Sequence, residues 1–202
     1  MAIFRYIILI VLKFLNFYNT IYNYLLFKIA NVKYELFPSI SGKVIKRGRG
    51  PLILGNKCKI NSSITANPVG LISKCMFYIG PSGIIKIGNN VGISNSLLYS
   101  ICSIIVEDDV MIGGGCQILD NDFHSLRYED RILLGDKNVN SAPISIKKGA
   151  FIGTSSIILK GVTIGERSIV AAGSVVTKSI PDNEIWGGNP AAFIRKISEN
   201  DY

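Results

Sequence analysis

Histidine is nearly absent from this 202-residue sequence, which contains a single one, His124. A zinc site built from three histidines of one chain is therefore impossible. The four cysteines form no CxxC pair, so the spacing of a cysteine-rich zinc site is missing too. We expect no metal, and the lack of a disulfide framework favours a reduced, cytoplasmic setting.

Acidic residues are also few, with 14 against 22 lysines and arginines and a formal net charge of +8. Residues 1–50 hold eight of the basic residues and one acidic residue, Glu35, so this segment alone carries +7. The rest of the chain is close to neutral, whereas a nucleic-acid groove would spread basic residues over a folded face. The pattern argues against a nucleic-acid partner and for an anionic surface touched by the N-terminus.

Long apolar runs are missing as well, because the unbroken run at residues 7–12 covers only six positions before polar residues follow. A membrane-spanning helix is therefore disfavoured, and no small-residue cleavage site of a signal peptide follows the run. A helical projection separates a polar arc from an apolar arc, with Arg5, Lys13, Asn16, Asn19, Thr20 and Asn23 on the first and Ile7, Val11, Phe14, Tyr18, Ile21 and Leu25 on the second. Residues 1–27 are thus predicted to form an amphipathic helix that contacts an anionic membrane on the cytoplasmic side. Packing on the domain or on a sister subunit, and spanning, are the alternatives.

An aliphatic residue recurs every six positions in the C-terminal half, at Ile146, Ile152, Ile158, Ile164, Val170 and Val176. The same spacing occurs in shorter blocks at Leu54 and Ile60, at Ile87 and Ile93, and at Val106, Ile112 and Ile118. A residue with a small or medium-sized side chain, such as Cys58, Cys116 or Ser156, lies two positions before the aliphatic one. This pattern indicates a hexapeptide repeat.

The repeat predicts an all-β fold in which the chain winds into a triangular coil of 18 residues, with one aliphatic side chain per strand pointing to the axis. Gly, Asn and Asp between the aliphatics suit the tight corners because they tolerate positive φ. We expect residues 1–50 to form a helical cap segment, residues 51–180 the repeat domain with a loop at 120–143, and residues 181–202 a C-terminal cap. Cys58 and Cys116 are expected to be buried, unreactive stacking residues.

The C-terminal motifs resemble those of hexapeptide-repeat O-acetyltransferases, which include galactoside, maltose and surface-polysaccharide acetyltransferases. They are Ile152-Gly153-Thr154, Gly161-Val162-Thr163-Ile164-Gly165, Ala172-Gly173-Ser174-Val175-Val176-Thr177-Lys178 and Gly188-Asn189-Pro190-Ala191. The resemblance covers roughly residues 54–196. It implies a left-handed parallel β-helix, a homotrimer, acetyl coenzyme A as donor and active sites between neighbouring subunits.

His124 is the candidate general base, because it lies in the loop where the repeat is interrupted and imidazole can accept a proton near neutral pH. The segment Asp120-Asn121-Asp122-Phe123-His124-Ser125 resembles the catalytic loop of the family. Asp120, Asp122, Glu107 or a backbone carbonyl are open alternatives for the group that orients the imidazole. Arg127, Tyr128 and Arg131 are expected to face solvent.

The resemblance implies further site residues. Asn95 matches an asparagine that orients the acceptor hydroxyl. Thr154 lies where the family has a small residue beside the thioester, Ala172, Thr177 and Lys178 match the pantetheine and adenine end, and Arg195 is expected to approach phosphate. In some relatives a second arginine stands where this chain has Ala192.

These observations predict an acetyl-CoA-dependent O-acetyltransferase that acts by direct transfer on a hydroxyl of a cell-envelope saccharide. N-acetylation of an amino-sugar nucleotide and acetylation of serine or an antibiotic are rivals within the enzyme class. A non-catalytic β-helix scaffold at the membrane is the alternative outside it. The histidine count excludes a zinc-dependent β-helix hydratase.

Overall fold

The computed structural model describes residues 2–69, 74–133 and 135–198, and the side chains of residues 2–5 and 7–10 lie outside this description, Arg5 and Ile7 of the predicted arcs among them. The long helix α1 (Ala2–Ile29) is followed by six coils of strands. The first three coils are β1 (Lys33–Tyr34), β2 (Ser39–Gly42), β3 (Ile45–Arg47); β4 (Leu52–Leu54), β5 (Lys59–Ser62), β6 (Met76–Ile79); and β7 (Ile85–Ile87), β8 (Gly92–Ser94), β9 (Leu97–Ser100).

The next three coils are interrupted once by the short helix α2 (Tyr128–Ile132) and end in a two-stranded tail. Coil 4 is β10 (Ile104–Val106), β11 (Met111–Ile112) and β12 (Gln117–Leu119), and α2 follows it. Coils 5 and 6 are β13 (Ile144–Ile146), β14 (Phe151–Ile152), β15 (Ile157–Leu159) and β16 (Thr163–Ile164), β17 (Ile169–Val170), β18 (Val175–Val176), and the tail is β19 (Glu184–Gly188) and β20 (Ala191–Lys196).

Every third strand joins the same sheet, so the coils stack into a three-sided parallel β-helix. Sheet A has the order β1-β4-β7-β10-β13-β16, sheet B β2-β5-β8-β11-β14-β17-β19-β20, and sheet C β3-β6-β9-β12-β15-β18. Only the tail pair β19–β20 is antiparallel among the described strands. The chain thus turns three corners per coil, called here the A–B, B–C and C–A corners.

The aliphatic repeat forms the core, as the spacing predicts. All the repeat residues from Leu54 to Val176 are at most 3% exposed. Burying an Ile, Leu or Val side chain contributes roughly 1.5–3 kcal/mol relative to leaving it in water, so the column along the axis is the main source of stability. Cys58 and Cys116 are buried beside it, as predicted, and burial raises the pKa of both thiols.

The A–B corners combine left-handed backbone with a ladder of polar side chains. Asn90 and Asp109 adopt φ values of 56° and 62°, as expected for Asn and Asp. The carboxylate of Asp108 accepts a hydrogen bond from the Asn89 backbone N–H, and the Asn89 side-chain oxygen accepts one from the Asn56 N–H. These bonds satisfy corner N–H groups that no strand pairs.

Helix α1 docks on coil 1 through its last two turns. The side chain of Asn23 is buried, donates to the Gly42 carbonyl over 2.8 Å and accepts from the Val44 N–H over 3.0 Å. Phe27, one turn later, is buried against the rings of Tyr34 and Phe37. Asn23 belongs to the predicted polar arc but is buried, because its amide completes the open edge of the first coil.

The predicted apolar face of α1 remains exposed instead. Phe14 and Tyr18 are 71% and 51% exposed, and Ile21 and Leu25 continue the same face. Phe17, which was not part of the predicted arc, extends this exposed strip and is 64% exposed. Within the described part of the chain, no helix has the length and apolar character needed to cross a membrane.

The β-helix begins earlier than the predicted boundary at residue 51. Strands β1, β2 and β3 pair with β4, β5 and β6, so residues 33–47 already form a coil. The sequence hides this coil because its strands are short and its residues alternate with serine and lysine. The chain leaves the regular coil at two places. The first is at the B–C corner of coil 2, at residues 63–69 and 74–75, and the second is at the C–A corner of coil 4, at residues 120–133 and 135–143. The sequence predicted only the second.

Candidate active site

His124 projects from the segment at the C–A corner and is held by a carboxylate. Its side chain is 72% exposed, and its Nδ1 makes a short contact with Oδ2 of Asp136. The other oxygen of Asp136 accepts a hydrogen bond from the Ser125 backbone N–H over 2.7 Å. Both carboxylate oxygens of Asp136 are therefore used to fix the imidazole relative to its own backbone.

The electrostatics of this pair favour one tautomer. The backbone hydrogen bond from Ser125 and the side-chain bond to His124 hold the pKa of Asp136 below its usual value. An ionised Asp136 accepts a proton donated by Nδ1–H, which leaves the lone pair of Nε2 directed away from it. The pair thus has the arrangement of a general base with its orienting group.

The three carboxylates predicted to orient His124 have other partners, and that prediction was wrong. Asp120 is buried and accepts hydrogen bonds from Ser100 Oγ and from the N–H groups of Ile101 and Cys102. Asp122 pairs with Lys160 at 2.5 Å, and Glu107 pairs with Lys147 at 2.8 Å on another corner. Asp136 was missed because α2 separates it from His124 in the sequence and returns the chain to it in space.

Arg131 is exposed, as predicted, but it also makes hydrogen bonds within the loop. Its guanidinium donates to the backbone carbonyls of Ser125 and Leu126 over 2.6 and 3.1 Å. Asp130, only 3% exposed, accepts from Asn138 and Ser125. These hydrogen bonds connect the loop on both sides of α2 to that helix. They restrict the movement of the backbone that carries His124. Tyr128 is exposed, as predicted.

A cavity on the outer face of sheet B has a volume of about 550 Å³. Its lining is mainly apolar and includes Met111, Phe151, Thr154 and Ala172. Thr154 is held at the B–C corner, where its hydroxyl donates to the Gly114 carbonyl. The cavity therefore contains two of the predicted cofactor residues.

A second cavity, of about 330 Å³, adjoins the first and shares Phe151 and Ile169 with it. It is lined by the predicted Arg195 and by Arg167, which the sequence analysis did not single out. Arg167 stands at a corner with a φ of 55°, where glycine or asparagine is the usual residue. Together the two cavities form an apolar groove with two arginines at one end.

Thr177 and Lys178 do not line this groove. They follow strand β18 and are exposed at the C–A corner. His124 and Lys160 lie on this corner too, in coils 4 and 5. The predicted cofactor residues are thus divided between two corners of the β-helix. Thr154 and Ala172 lie at the B–C corner, whereas His124 lies at the C–A corner with Thr177 and Lys178.

Asn95 lies at the B–C corner, above Thr154 in the stack, and not beside His124 of the same chain. It is 1% exposed with a φ of 41°, and its amide donates to the Asn67 carbonyl over 2.6 Å. Its side-chain oxygen has no hydrogen-bond partner among the described residues. Residues 63–69, which the sequence did not predict as an excursion, cover it.

No group of three or more His, Cys, Asp or Glu side chains that could hold a metal ion occurs in residues 2–69, 74–133 and 135–198. The free cysteines are Cys58, Cys75, Cys102 and Cys116, and burial raises the pKa of Cys75 to about 12.

Comparison with known proteins gives the same architecture. The family model described as the hexapeptide repeat of succinyl-transferase matches residues 143–178. The chain carries this hexapeptide repeat. The resemblance predicted from its C-terminal motifs is confirmed, and the fold is that of the left-handed parallel β-helix acetyltransferases.

Two curated relatives differ in the activity that their names give. Galactoside O-acetyltransferase of Escherichia coli is 33% identical over 61% of this chain and 63% of the relative. Gamma carbonic anhydrase 2 of Arabidopsis thaliana is 30% identical over 65% of this chain and 51% of the relative. The chain thus spans between about half and two thirds of the length of these relatives.

Two similar solved structures contain acyl donors. One is a hexapeptide-repeat acetyltransferase of Vibrio cholerae complexed with acetyl coenzyme A, with 33% identity, a TM-score of 0.55 and coverage of 62% of this chain and 66% of that one. Another is AntD, an N-acyltransferase of Bacillus cereus in complex with dTDP and 3-hydroxybutyryl-CoA. Its identity is 25%, its TM-score 0.64, and the match covers 87% of this chain and 88% of that one.

Proposed function

We propose that this protein is an acyltransferase that moves an acetyl group from acetyl coenzyme A to a hydroxyl of a cell-envelope saccharide. The observation that carries the proposal is the contact between His124 and Asp136 on an exposed loop of a hexapeptide-repeat β-helix. An exposed imidazole with an oriented Nδ1 is suited to taking a proton from an alcohol.

The chain's own groups account for the proton transfers. Nε2 of His124 accepts the proton of the acceptor hydroxyl while its oxygen forms a bond to the acetyl carbonyl carbon, and Asp136 stabilises the resulting imidazolium. When the carbon–sulfur bond breaks, His124 returns the proton to the leaving sulfur. Acetyl coenzyme A supplies the thioester, and direct transfer leaves no covalent intermediate on the enzyme.

The groove on sheet B supports binding of the donor. Its apolar section beside Thr154 and Ala172 suits an extended pantetheine chain, and the arginines at positions 167 and 195 suit phosphate because each guanidinium offers a fork of donors. Lys178 and Thr177 on the opposite side would contribute from another subunit.

This division supports a homotrimer. His124 lies at the C–A corner and Thr154 at the B–C corner, so one chain offers the two halves of a cleft on different sides. In a cyclic assembly, the half-cleft with His124 on each subunit faces the half-cleft with Thr154 on its neighbour. Asn95 lies on the Thr154 side, but residues 63–69 cover it, so this structure does not support a role for it in holding the acceptor.

Helix α1 supports a peripheral location on the cytoplasmic membrane face. The side chains of Phe14, Phe17 and Tyr18 form an exposed strip on this helix, and Lys43 Nζ lies 4.4 Å from the Tyr18 ring centroid. Aromatic side chains next to basic ones are typical of helices that lie in an anionic interface.

N-acylation of an amino-sugar nucleotide is the second candidate. It is favoured by the similarity to AntD, whose solved complex contains dTDP and an acyl-CoA and whose match covers most of both chains. An amine acceptor needs the same base to remove its proton, so the two candidates differ in the acceptor and not in His124.

Release of coenzyme A thiol tests the proposal, with purified protein, acetyl coenzyme A and a panel of neutral, acidic and nucleotide-linked sugars. His124→Ala is expected to lower transfer by roughly 10²–10⁴-fold while donor binding, measured by calorimetry, stays unchanged. Turnover of amines but not hydroxyls would favour the second candidate. Folded protein that binds no acetyl coenzyme A would support the scaffold alternative.

A further inference from the structure

Asp130 has a buried carboxyl group in a loop whose large apolar side chains are exposed. It is 3% exposed, whereas Leu126, Ile132 and Leu133 on either side of it are 71%, 61% and 71% exposed. Hydrophobic burial therefore contributes little to the shape of this part of the loop. Hydrogen bonds hold it instead, and they fix direction as well as distance.

The carboxylate of Asp130 connects the segment after His124 to the segment after Asp136. One oxygen, Oδ2, accepts a hydrogen bond from Asn138 Nδ2 over 3.1 Å and a longer one from Ser125 Oγ over 3.4 Å. Ser125 follows His124 directly, and Asn138 lies two residues after Asp136. The same oxygen thus joins the two parts of the chain that carry the base and its orienting group.

The backbone of Asp130 adds a third hydrogen bond to this arrangement. Its carbonyl accepts from the N–H of Asp136 over 2.8 Å. Asp136 and Asn138 adopt φ values of 62° and 60°, which Asp and Asn tolerate better than most residues. Since the Asp136 N–H and the Asn138 amide both donate to Asp130, the turn is held on both sides of the Asp136 side chain.

Stability alone does not account for a carboxyl group at this place. A buried polar group costs free energy unless its partners compensate, and replacing a buried hydrogen-bonded set by apolar groups of the same shape can be nearly neutral. A satisfied polar network gives one defined geometry instead. The proposed reaction needs such a geometry, because His124 and Asp136 must stay in contact while a proton moves.

We propose that Asp130 is a positioning residue that keeps His124 and Asp136 in contact. This inference rests on the proposed function and adds a residue outside the pair that controls the imidazole tautomer. Without the Asp130 carboxylate, Ser125 and Asn138 lose their common partner, and Asp136 can turn away from Nδ1. The imidazole then exchanges between two tautomers, and only one of them presents the lone pair of Nε2 to the acceptor.

The single histidine of the chain makes this tautomer directly measurable. Protein with ¹⁵N-labelled histidine, prepared without a histidine tag, gives long-range ¹H–¹⁵N correlation spectra of His124 alone. The spectra are recorded at a pH above the titration of the ring signals. In the parent we expect a protonated Nδ1 and an unprotonated Nε2. In Asp130→Leu, which keeps the volume and removes both oxygens, the two nitrogen shifts should move toward each other.

Steady-state kinetics provides the second readout, with acetyl coenzyme A and the best acceptor of the sugar panel described above. Asp130→Leu should lower kcat roughly tenfold with KM for both substrates unchanged. Asp130→Asn should restore most of kcat, because one amide oxygen can accept both bonds that Oδ2 accepts. Glu129→Gln, a change at the exposed carboxylate next to Asp130, is the matched control and should alter neither readout.

Asn138→Gly keeps the test decisive if Asp130→Leu does not fold. Glycine accepts the φ of 60° and removes only the side-chain donor, so both readouts should change in the same direction by a smaller amount. Normal ring signals and a normal kcat in the folded variants, even with lowered thermal stability, would overturn the positioning role.

Calorimetry of the parent protein with acetyl coenzyme A separates the two possible failures. A parent that binds the donor and transfers acetyl, beside an Asp130→Leu variant with the same kcat and ring signals, would refute the role of Asp130 alone. A folded parent that binds no donor would refute the proposed function, and with it any role of Asp130 in transfer.

Discussion

Asp136 contacts Nδ1 of His124 with one oxygen and the N–H of Ser125, the residue after His124, with the other. The carboxylate thereby fixes both the ring and the backbone that carries it. The contact depends on α2, because that helix returns the chain from residue 124 to residue 136. The orienting group of the candidate base is thus supplied by the loop itself and not by the rigid coils.

Asp136→Asn should lower kcat about 10- to 100-fold with little change in KM, because the amide can present its NH2 group to Nδ1 and favour the wrong tautomer. Steady-state kinetics at saturating acetyl coenzyme A measures this effect. Glu129→Gln, an exposed carboxylate change in the same loop, is the matched control. Equal kcat values for Asp136→Asn and the parent would show that Asp136 has no orienting role.

Acid should loosen the loop only at low pH. Since the folded-state pKa of Asp136 is depressed, its stabilising contribution is present above the unfolded-state pKa and is lost as pH falls through the folded-state value. The Ser125 N–H, which donates to Asp136, is expected to stay protected from hydrogen exchange at about pH 4 and to lose protection below it. Protection that disappears well above pH 4 would contradict the assigned pair.

Mixing two inactive variants should restore activity if the cleft is shared between subunits. His124→Ala removes the base and Thr154→Trp blocks the groove, so each homotrimer is inactive. Random mixed trimers would contain intact clefts with about a quarter of the parent frequency. Acetyl transfer after co-refolding of equal amounts measures this recovery. Mixed trimers seen by native mass spectrometry but without activity would place the whole site in one chain.

Arg167→Ala and Arg195→Ala should each weaken binding of acetyl coenzyme A roughly tenfold, because each removes a charge-assisted contact to phosphate. Calorimetry with acetyl coenzyme A and with acetyl-pantetheine, which lacks the nucleotide, shows whether the lost affinity concerns the nucleotide part of the donor. The change should be absent with acetyl-pantetheine and absent in Arg127→Ala, an exposed loop variant. Equal losses for both donors would mean that the arginines act on folding.

Replacing Phe14, Phe17 and Tyr18 together by serine should lower binding to vesicles with anionic lipid by about tenfold or more. Substitution is preferable to deletion of residues 1–27, since Asn23 and Phe27 complete the first coil. Flotation with phosphatidylcholine vesicles, with and without phosphatidylglycerol, provides the measurement. Unchanged flotation, or a changed oligomer mass in the triple variant, would assign this face to a subunit contact.

The sequence predicts the coils well where the repeat is regular. Each residue from Ile146 to Val176 in the six-residue series lies on the axis because the strand length and corner geometry repeat with the same period. Coil 1 escapes detection because its strands are short and its core is completed partly by helix α1, through Phe27. A period cannot reveal a coil that is completed by another element.

The candidate site also has features that the sequence predicts and features that only the structure reveals. The sequence by itself determined the three-sided coil and the interruption at residue 120, because both follow from the spacing of the aliphatic residues. It made His124 the candidate base through the resemblance of its loop to the catalytic loop of the family. Only the tertiary structure decided that Asp136 orients it, that Asn23 caps the first coil and that His124 and Thr154 lie on different corners. These relationships join residues that are brought together by turns and packing, and no local pattern in the chain encodes the distance between them.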